Sequence, residues 1–331
     1  MLTEDQRVDY YMGKKTKIYD TYKVSSDMIP KEKDDCKRDI INVINWQDHL
    51  STSNFDNDGY WFKDFTQREG NIPLWENNKY NKKWFSFVWG DSLDPVDHPT
   101  LTKVRWINGG DENDNKCIWK IEQERHWGQM FLGCVDCIRK GNLGYFSRKK
   151  PMVGWRGATT GCERFWENRG LFVKTHGDNP YCDIGYNWIT LDEWMFKADE
   201  LRFIKEHLKP PQTLGQQLQY KYVVSIDGND KASDLNWKLA SNSLVLMKPP
   251  VVESWLMEGL LRPWVHYVPL ADDFSDLNQK LMWAENNLDK CLQIIRNANM
   301  WMGQFLDYDR EQRIMNKVME RFIDNVNIEI V

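Results

Sequence analysis

The chain has 331 residues, enough for two domains, and its 41% hydrophobic and 28% charged content is that of a soluble globular protein with a sizeable core. A net charge of −5 excludes a general attraction to nucleic acid or to an anionic membrane. No apolar stretch approaches the roughly 18 residues of a membrane span, and "MLTEDQRVDYYMGKK" has no apolar signal core, so a cytoplasmic location is expected.

The first 70 residues read as polar and irregular, with a helix expected from Lys37 to His49. The first strong strand runs from Lys83 to Asp91 and opens into "SLDPVDHPT". Asp91 ends that strand, where a carboxylate on a rigid element can serve as a general base or simply solvate the start of the loop. Asp94 and Asp97 follow in the same loop, but the spacing is not that of a metal site. After the polar loop from Gly109 to Lys116, a helical zone is expected over Cys117 to Arg125 and part of Trp127 to Arg139. The connection "GNLGYFSRKKP" marks the expected boundary, giving domains 1–147 and 148–331.

Beyond it, "VGWRGATTG" reads as strand, turn and helix start. Arg156 at the strand end can grip a phosphate, with Gly157 allowing close approach and Thr159 and Thr160 completing a cradle. A surface salt bridge beside a turn fits the same residues. A helix is expected from Thr190 to Glu206 and a strand from Tyr222 to Ile226, stopped by Asp227-Gly228-Asn229. Ser233 is placed to cap a helix starting near Asp234, leaving amides free for a phosphate. An ordinary strand–turn–helix connection has the same composition. A strand over Leu244 to Met247 precedes a helix expected from Val252 to Gly259. Glu253 there can meet ribose hydroxyls or simply favour the helix dipole. His266 lies in an apolar strand from Val265 to Pro269 and reads as structural. Helices then follow from a Ser275 cap and over Arg310 to Asn325.

Strands alternating with helices indicate an α/β fold whose ligand sites lie beyond the carboxyl ends of parallel strands. Seven cysteines fit a reducing compartment, and Cys134-x-x-Cys137, without a second pair, reads as thiols of a helix. The 17 tryptophans serve a core or line a sugar-binding cleft.

The run from Lys221 to Leu277, beginning "KYVVSIDGNDKASDLNWKLASNSLVLM", together with "WAENN" and "WRGATTG", closely resembles glycosyltransferase family 90, the capsule-associated-protein-like family that includes the protein O-glucosyltransferases. The resemblance is specific from about Val153 to Asn299. It implies a GT-B fold: two Rossmann-like domains facing across a cleft, with a C-terminal helix crossing back. Residues 1–147 would be the acceptor side and 148–331 would bind the nucleotide sugar. It implies an inverting, metal-independent transfer from a UDP-sugar to a hydroxyl of a glycan, with no cofactor. Asp91 falls near the family's base and Arg156 matches its phosphate-side arginine. Asp227, Gly228, Ser233, Lys238 and Glu253 fall in the donor-binding segment. Eukaryotic members commonly carry an arginine where this chain has Ser233-Asp234-Leu235. Xylose is the first expectation for the sugar, then glucose and galactose. The competing readings are a carbohydrate-binding protein on a transferase scaffold and a dinucleotide oxidoreductase, the latter disfavoured because G-x-G-x-x-G is absent.

Overall fold

The computed structural model describes residues 2–13, 21–24, 38–42, 84–88, 93, 96, 99–107, 115–119, 146–190 and 196–331. Asp91, Asp94, Asp97, Cys134 and Cys137 lie outside them. The chain forms two compact units: Met1–Glu124, Val252–Met257 and Phe305–Val331 make the first, and Arg125–Val251 with Glu258–Gln304 make the second. The sequence expectation was two consecutive blocks split at 147/148, whereas these units are interleaved.

From the N-terminus, α1 (Glu4–Met12), β1 (Thr21–Val24), β2 (Arg38–Asn42), β3 (Trp84–Val88), β4 (Thr100–Thr102), β5 (Arg105–Trp106) and β6 (Lys116–Ile118) belong to the first unit. The second unit takes β7 (Lys150–Ala158), α2 (Arg169–His176), β8 (Cys182–Trp188), α3 (Ala198–Glu206), α4 (Leu214–Gln217), β9 (Tyr220–Val224), α5 (Leu235–Ala240) and β10 (Leu244–Met247). The chain returns to the first unit for β11 (Val252–Glu253), then completes the second with β12 (Val268–Pro269), α6 (Leu277–Glu285) and α7 (Leu288–Gly303). Helix α8 (Tyr308–Asn325) and β13 (Asn327–Ile330) close the first.

In the second unit five strands form one parallel sheet in the order β12-β10-β9-β7-β8. Every residue of β9 and β10 is buried, as expected of strands covered on both faces. Trp155, Phe172, Tyr186, Tyr222, Leu244, Phe274 and Ile294 belong to its core. Helix α7 buries Cys291, Ile294, Ile295, Ala298 and Met302, the stripe of an amphipathic helix.

In the first unit β2, β3, β4 and β6 form a mixed sheet: β2 runs antiparallel to β3, and β3, β4 and β6 are parallel. β1 pairs with β13 in parallel, and β5 with β11 antiparallel. Helix α1 starts at a capping box in which Thr3 accepts from the Gln6 amide at 3.2 Å and the Gln6 side chain accepts from the Thr3 amide at 2.9 Å. Arg7 and Glu311 pair with no solvent exposure, joining α1 to α8.

Three expectations are overturned here. Arg38–Asn42 is a strand and not helix, because Trp84–Val88 supplies a full antiparallel ladder. Lys116–Ile118 is likewise a strand, laid beside β4. Val252–Glu253 pairs with Trp106 and Arg105 instead of opening a helix. Among the described residues no helix is long and apolar enough to cross a membrane.

Candidate functional site

The carboxyl ends of the neighbouring strands β7 and β9 carry the two turns that the sequence singles out. A half-buried arginine joins them. Arg169, the first residue of α2, donates to the Ala158 carbonyl at 3.0 Å, to the Thr160 hydroxyl, and to the Ile226 carbonyl at 3.2 Å. Its Nε is buried without a hydrogen-bond partner. Burial lowers its pKa, and Asp234, Asp227 and Asp230 oppose that shift. The cation is therefore balanced by carboxylates, and its forked bonds set the distance between the turns.

The turns touch closely. The Gly161 amide donates to the Asn229 side chain at 2.8 Å, and Gly161 has φ +121°, a conformation that favours glycine. A Cβ on Gly228 would lie 2.8 Å from the Thr160 hydroxyl and 3.1 Å from the Arg169 guanidinium. Glycine is thus required by close approach. Asp227 accepts from the Ala232 amide at 3.2 Å, closing the turn on itself. Thr159 is fully buried and ties β7 to the end of β8: its amide donates to the Trp188 carbonyl and its hydroxyl accepts from the Thr190 amide, both at 3.1 Å.

Arg156 has a different setting. Its guanidinium donates to the Asp183 carboxylate at 2.7 Å, the Asp183 carbonyl at 2.8 Å, the Trp155 carbonyl at 3.0 Å and the Pro210 carbonyl at 3.3 Å. Asp183 stands at the register level of Gly154, so the Arg156 side chain reaches back along the sheet, away from the strand end. Lys209, Gln212 and Tyr220 also bond Asp183. Burial alone would raise the Asp183 carboxyl, but hydrogen bonds from Tyr220, Arg156 and Lys209 win and hold it well below the usual range. Gly157 lies beneath the Trp155 ring, where a Cβ would come within 2.3 Å.

Ser233 does not cap the helix. It is exposed, and the cap position falls to Asp234, whose carboxylate is turned to Ser225 at 2.7 Å and to Lys238. Lys238 is fully buried and donates to the Val224 carbonyl at 2.6 Å. Burial lowers its pKa, with Asp234 opposing. It braces the end of β9 from below. A second buried pair, Lys231 and Glu258 at 3.3 Å, follows the turn.

Glu253 belongs to the first unit, not to the unit of Asp227 and Arg156. There it accepts from Arg105 Nε at 2.8 Å and from the Tyr10 hydroxyl. Arg105 also donates to the Tyr10 and Tyr11 carbonyls at 2.6 and 3.1 Å, satisfying the end of α1. Among the described residues no group of three or more His, Cys, Asp or Glu side chains is placed to hold a metal ion.

Sequence reasoning missed Arg169. The available signal is that a cation in the first turn opposes the helix dipole and so needs a tertiary reason to be there.

Residues 137–329 match the model of Glycosyl transferase family 90. O-glucosyltransferase LpsA of Dichelobacter nodosus is 32% identical over 238 residues, covering 72% of this chain and 66% of that protein. Protein O-glucosyltransferase 3 of Rattus norvegicus is 33% identical over 108 residues, 31% of this chain and 21% of that protein. Protein O-glucosyltransferase 2 of Danio rerio is 36% identical over 106 residues, 32% of this chain and 21% of that protein.

Proposed function

The chain belongs to glycosyl transferase family 90, and we propose that it moves a sugar from a UDP donor to a hydroxyl of a glycan acceptor, with inversion and without a metal. The observation that carries the reading is the pair of turns at the carboxyl ends of β7 and β9, locked together through Arg169 within the family-matching residues. In a parallel sheet that is where a ligand sits. That LpsA and the two protein O-glucosyltransferases are glucosyltransferases supports glucose as the sugar, ahead of the xylose expected from the family resemblance. A GT-B architecture accords with each unit having parallel strand pairs of its own.

In this reading the donor rests on the turn Asp227-Gly228-Asn229 and on Thr160. Asp91, outside the described residues, takes the acceptor proton as its oxygen attacks the anomeric carbon opposite UDP. The transition state has oxocarbenium character, so in-line placement and stabilisation of the departing diphosphate supply the rate. On this reading the charge is stabilised by backbone N–H groups of the two turns, other than those of Gly161 and Ala232, which already donate to Asn229 and Asp227. Arg156 joins them only by exchanging its bond to Asp183 for one to phosphate.

The test is UDP release from UDP-glucose, UDP-xylose and UDP-galactose, with EDTA present and absent. Release from UDP-glucose that persists in EDTA is expected. Faster release from UDP-xylose returns the assignment to xylose, and release abolished by EDTA overturns the metal-free mechanism. No release together with no thermal shift by UDP makes the chain a glycan-binding protein.

A further inference from the structure

A cavity of about 400 Å³ lies in the second unit, lined by Trp264, Trp283, Lys290, Gln293 and Ile294. It is at the opposite end of the sheet from the donor turns. Residues 262–267 lead into β12 at its amino end. Glu285, the last residue of α6, bonds Lys221 at the start of β9 at 2.9 Å, which holds the Trp283 end of α6 there as well.

Two features set Trp264 apart from a core tryptophan. It is 43% exposed, and its φ of +62° is a left-handed conformation that a bulky side chain adopts only under constraint. The constraint is visible. The Trp264 amide donates to the Tyr267 carbonyl at 2.7 Å, the Arg262 amide donates to His266 Nδ1 at 2.9 Å, and Asn297 donates to the Val265 carbonyl at 3.0 Å. Trp283 meets the indole edge to face at 4.7 Å, and Lys280 Nζ stands 4.8 Å from its centre. The turn is strained and pinned, and it presents a ring to solvent beside a cavity.

The lining combines two indoles and an isoleucine with an amide and an ammonium. Indoles take the C–H face of a pyranose, while Lys290 can bond its hydroxyls, joined by the second N–H of Gln293, whose amide also donates to Asn297 at 2.9 Å and accepts from Arg296 at 2.8 Å. The volume is in the range of small-molecule sites and exceeds what one monosaccharide needs. We propose that this cavity is a second carbohydrate site, which holds pyranose units of a glycan away from the donor turns. It goes beyond the transferase reading and does not depend on it, since holding a glycan requires no donor.

Trp264→Gly is the informative variant, because glycine accepts the left-handed backbone and removes only the ring. The probes are maltohexaose, cellohexaose, xylohexaose and hexagalacturonate, titrated by tryptophan fluorescence and by calorimetry. We expect at least one to bind the native chain, Trp264→Gly to weaken it at least tenfold, and Trp264→Phe to stay within about threefold. The melting temperature of Trp264→Gly should hold or rise. A Lys290→Ala variant, changed only at an exposed position, should weaken binding with the fold intact. UDP-induced thermal shift should be the same in all variants, which separates failure here from failure of the donor reading. No binding of any hexaose by the native chain, or equal binding by Trp264→Gly, overturns the proposal.

Discussion

Two arginines of the second unit stand on the same strand–turn–helix segment, yet they belong to different physical regions. Arg156, inside the sheet, is held by Asp183 and three backbone carbonyls at the level of Gly154. Arg169 sits at the strand ends and holds two turns to each other. The first has the placement usually associated with phosphate, the end of a strand beside Gly-Ala-Thr-Thr. The second lies on a helix where a cation is electrostatically out of place. A guanidinium's role thus follows from which acceptors reach it first, and Asp183 reaches Arg156.

This contrast can be broken experimentally. The largest effect is expected at Arg169. Arg169→Met should lower turnover of the UDP-sugar by about 100-fold per folded molecule, the scale of a small misplacement of reacting groups. The loss should appear in kcat as well as in donor KM. Arg169→Lys should recover little, because an ammonium lacks the planar fork that reaches three acceptors. Near-native kcat in folded Arg169→Met would reduce Arg169 to a stability residue.

Arg156→Met should act through the fold, costing about 2 kcal/mol in chemical denaturation by stranding Asp183 among partners built for a pair. If Arg156 instead exchanges Asp183 for donor phosphate, this variant raises donor KM far more than it lowers stability. The two outcomes distinguish the regions directly.

The smallest effect is the pH dependence of that cluster. The folded Asp183 carboxyl is held below its unfolded value, so the unfolded chain takes up the proton first as pH falls. Its stabilising contribution is complete above about pH 5 and is lost as pH drops through the acid range. Asp183→Asn should flatten the acid limb of a melting-temperature profile and leave the slope near neutrality unchanged. An unaltered acid limb would show that other carboxylates govern it.

Much of the second unit was legible because its signals are local. "YVVSI" and "LVLM" are continuous apolar runs ended by turn formers, and they became β9 and β10 within a residue or two. The apolar stripe of α8 gave a helix from Arg310, and Asp307 capping the Arg310 amide at 3.0 Å moves its start to Tyr308. The first unit was far less legible. β2, β6 and β11 are two to five residues long and are stabilised by strands distant in sequence, so no window around them has a strand period. Helix α1 was within reach: Thr3 and Gln6 spell a capping box, but the polar composition around it reads as loop.

Sequence alone determined the α/β class, the family, and the two turns after "MVGWRGA" and "YVVSI", because hydrophobic period, glycine and turn chemistry act over a few residues. Tertiary structure alone decided the partners of the charged side chains. Glu253, chosen for a ribose, went to Arg105 and Tyr10 in the other unit; Lys238 went under β9; Arg156 went to Asp183. A buried charge must be paired or it destabilises the fold. Its partner is set by which elements pack together, and neighbours in sequence have no priority in that choice.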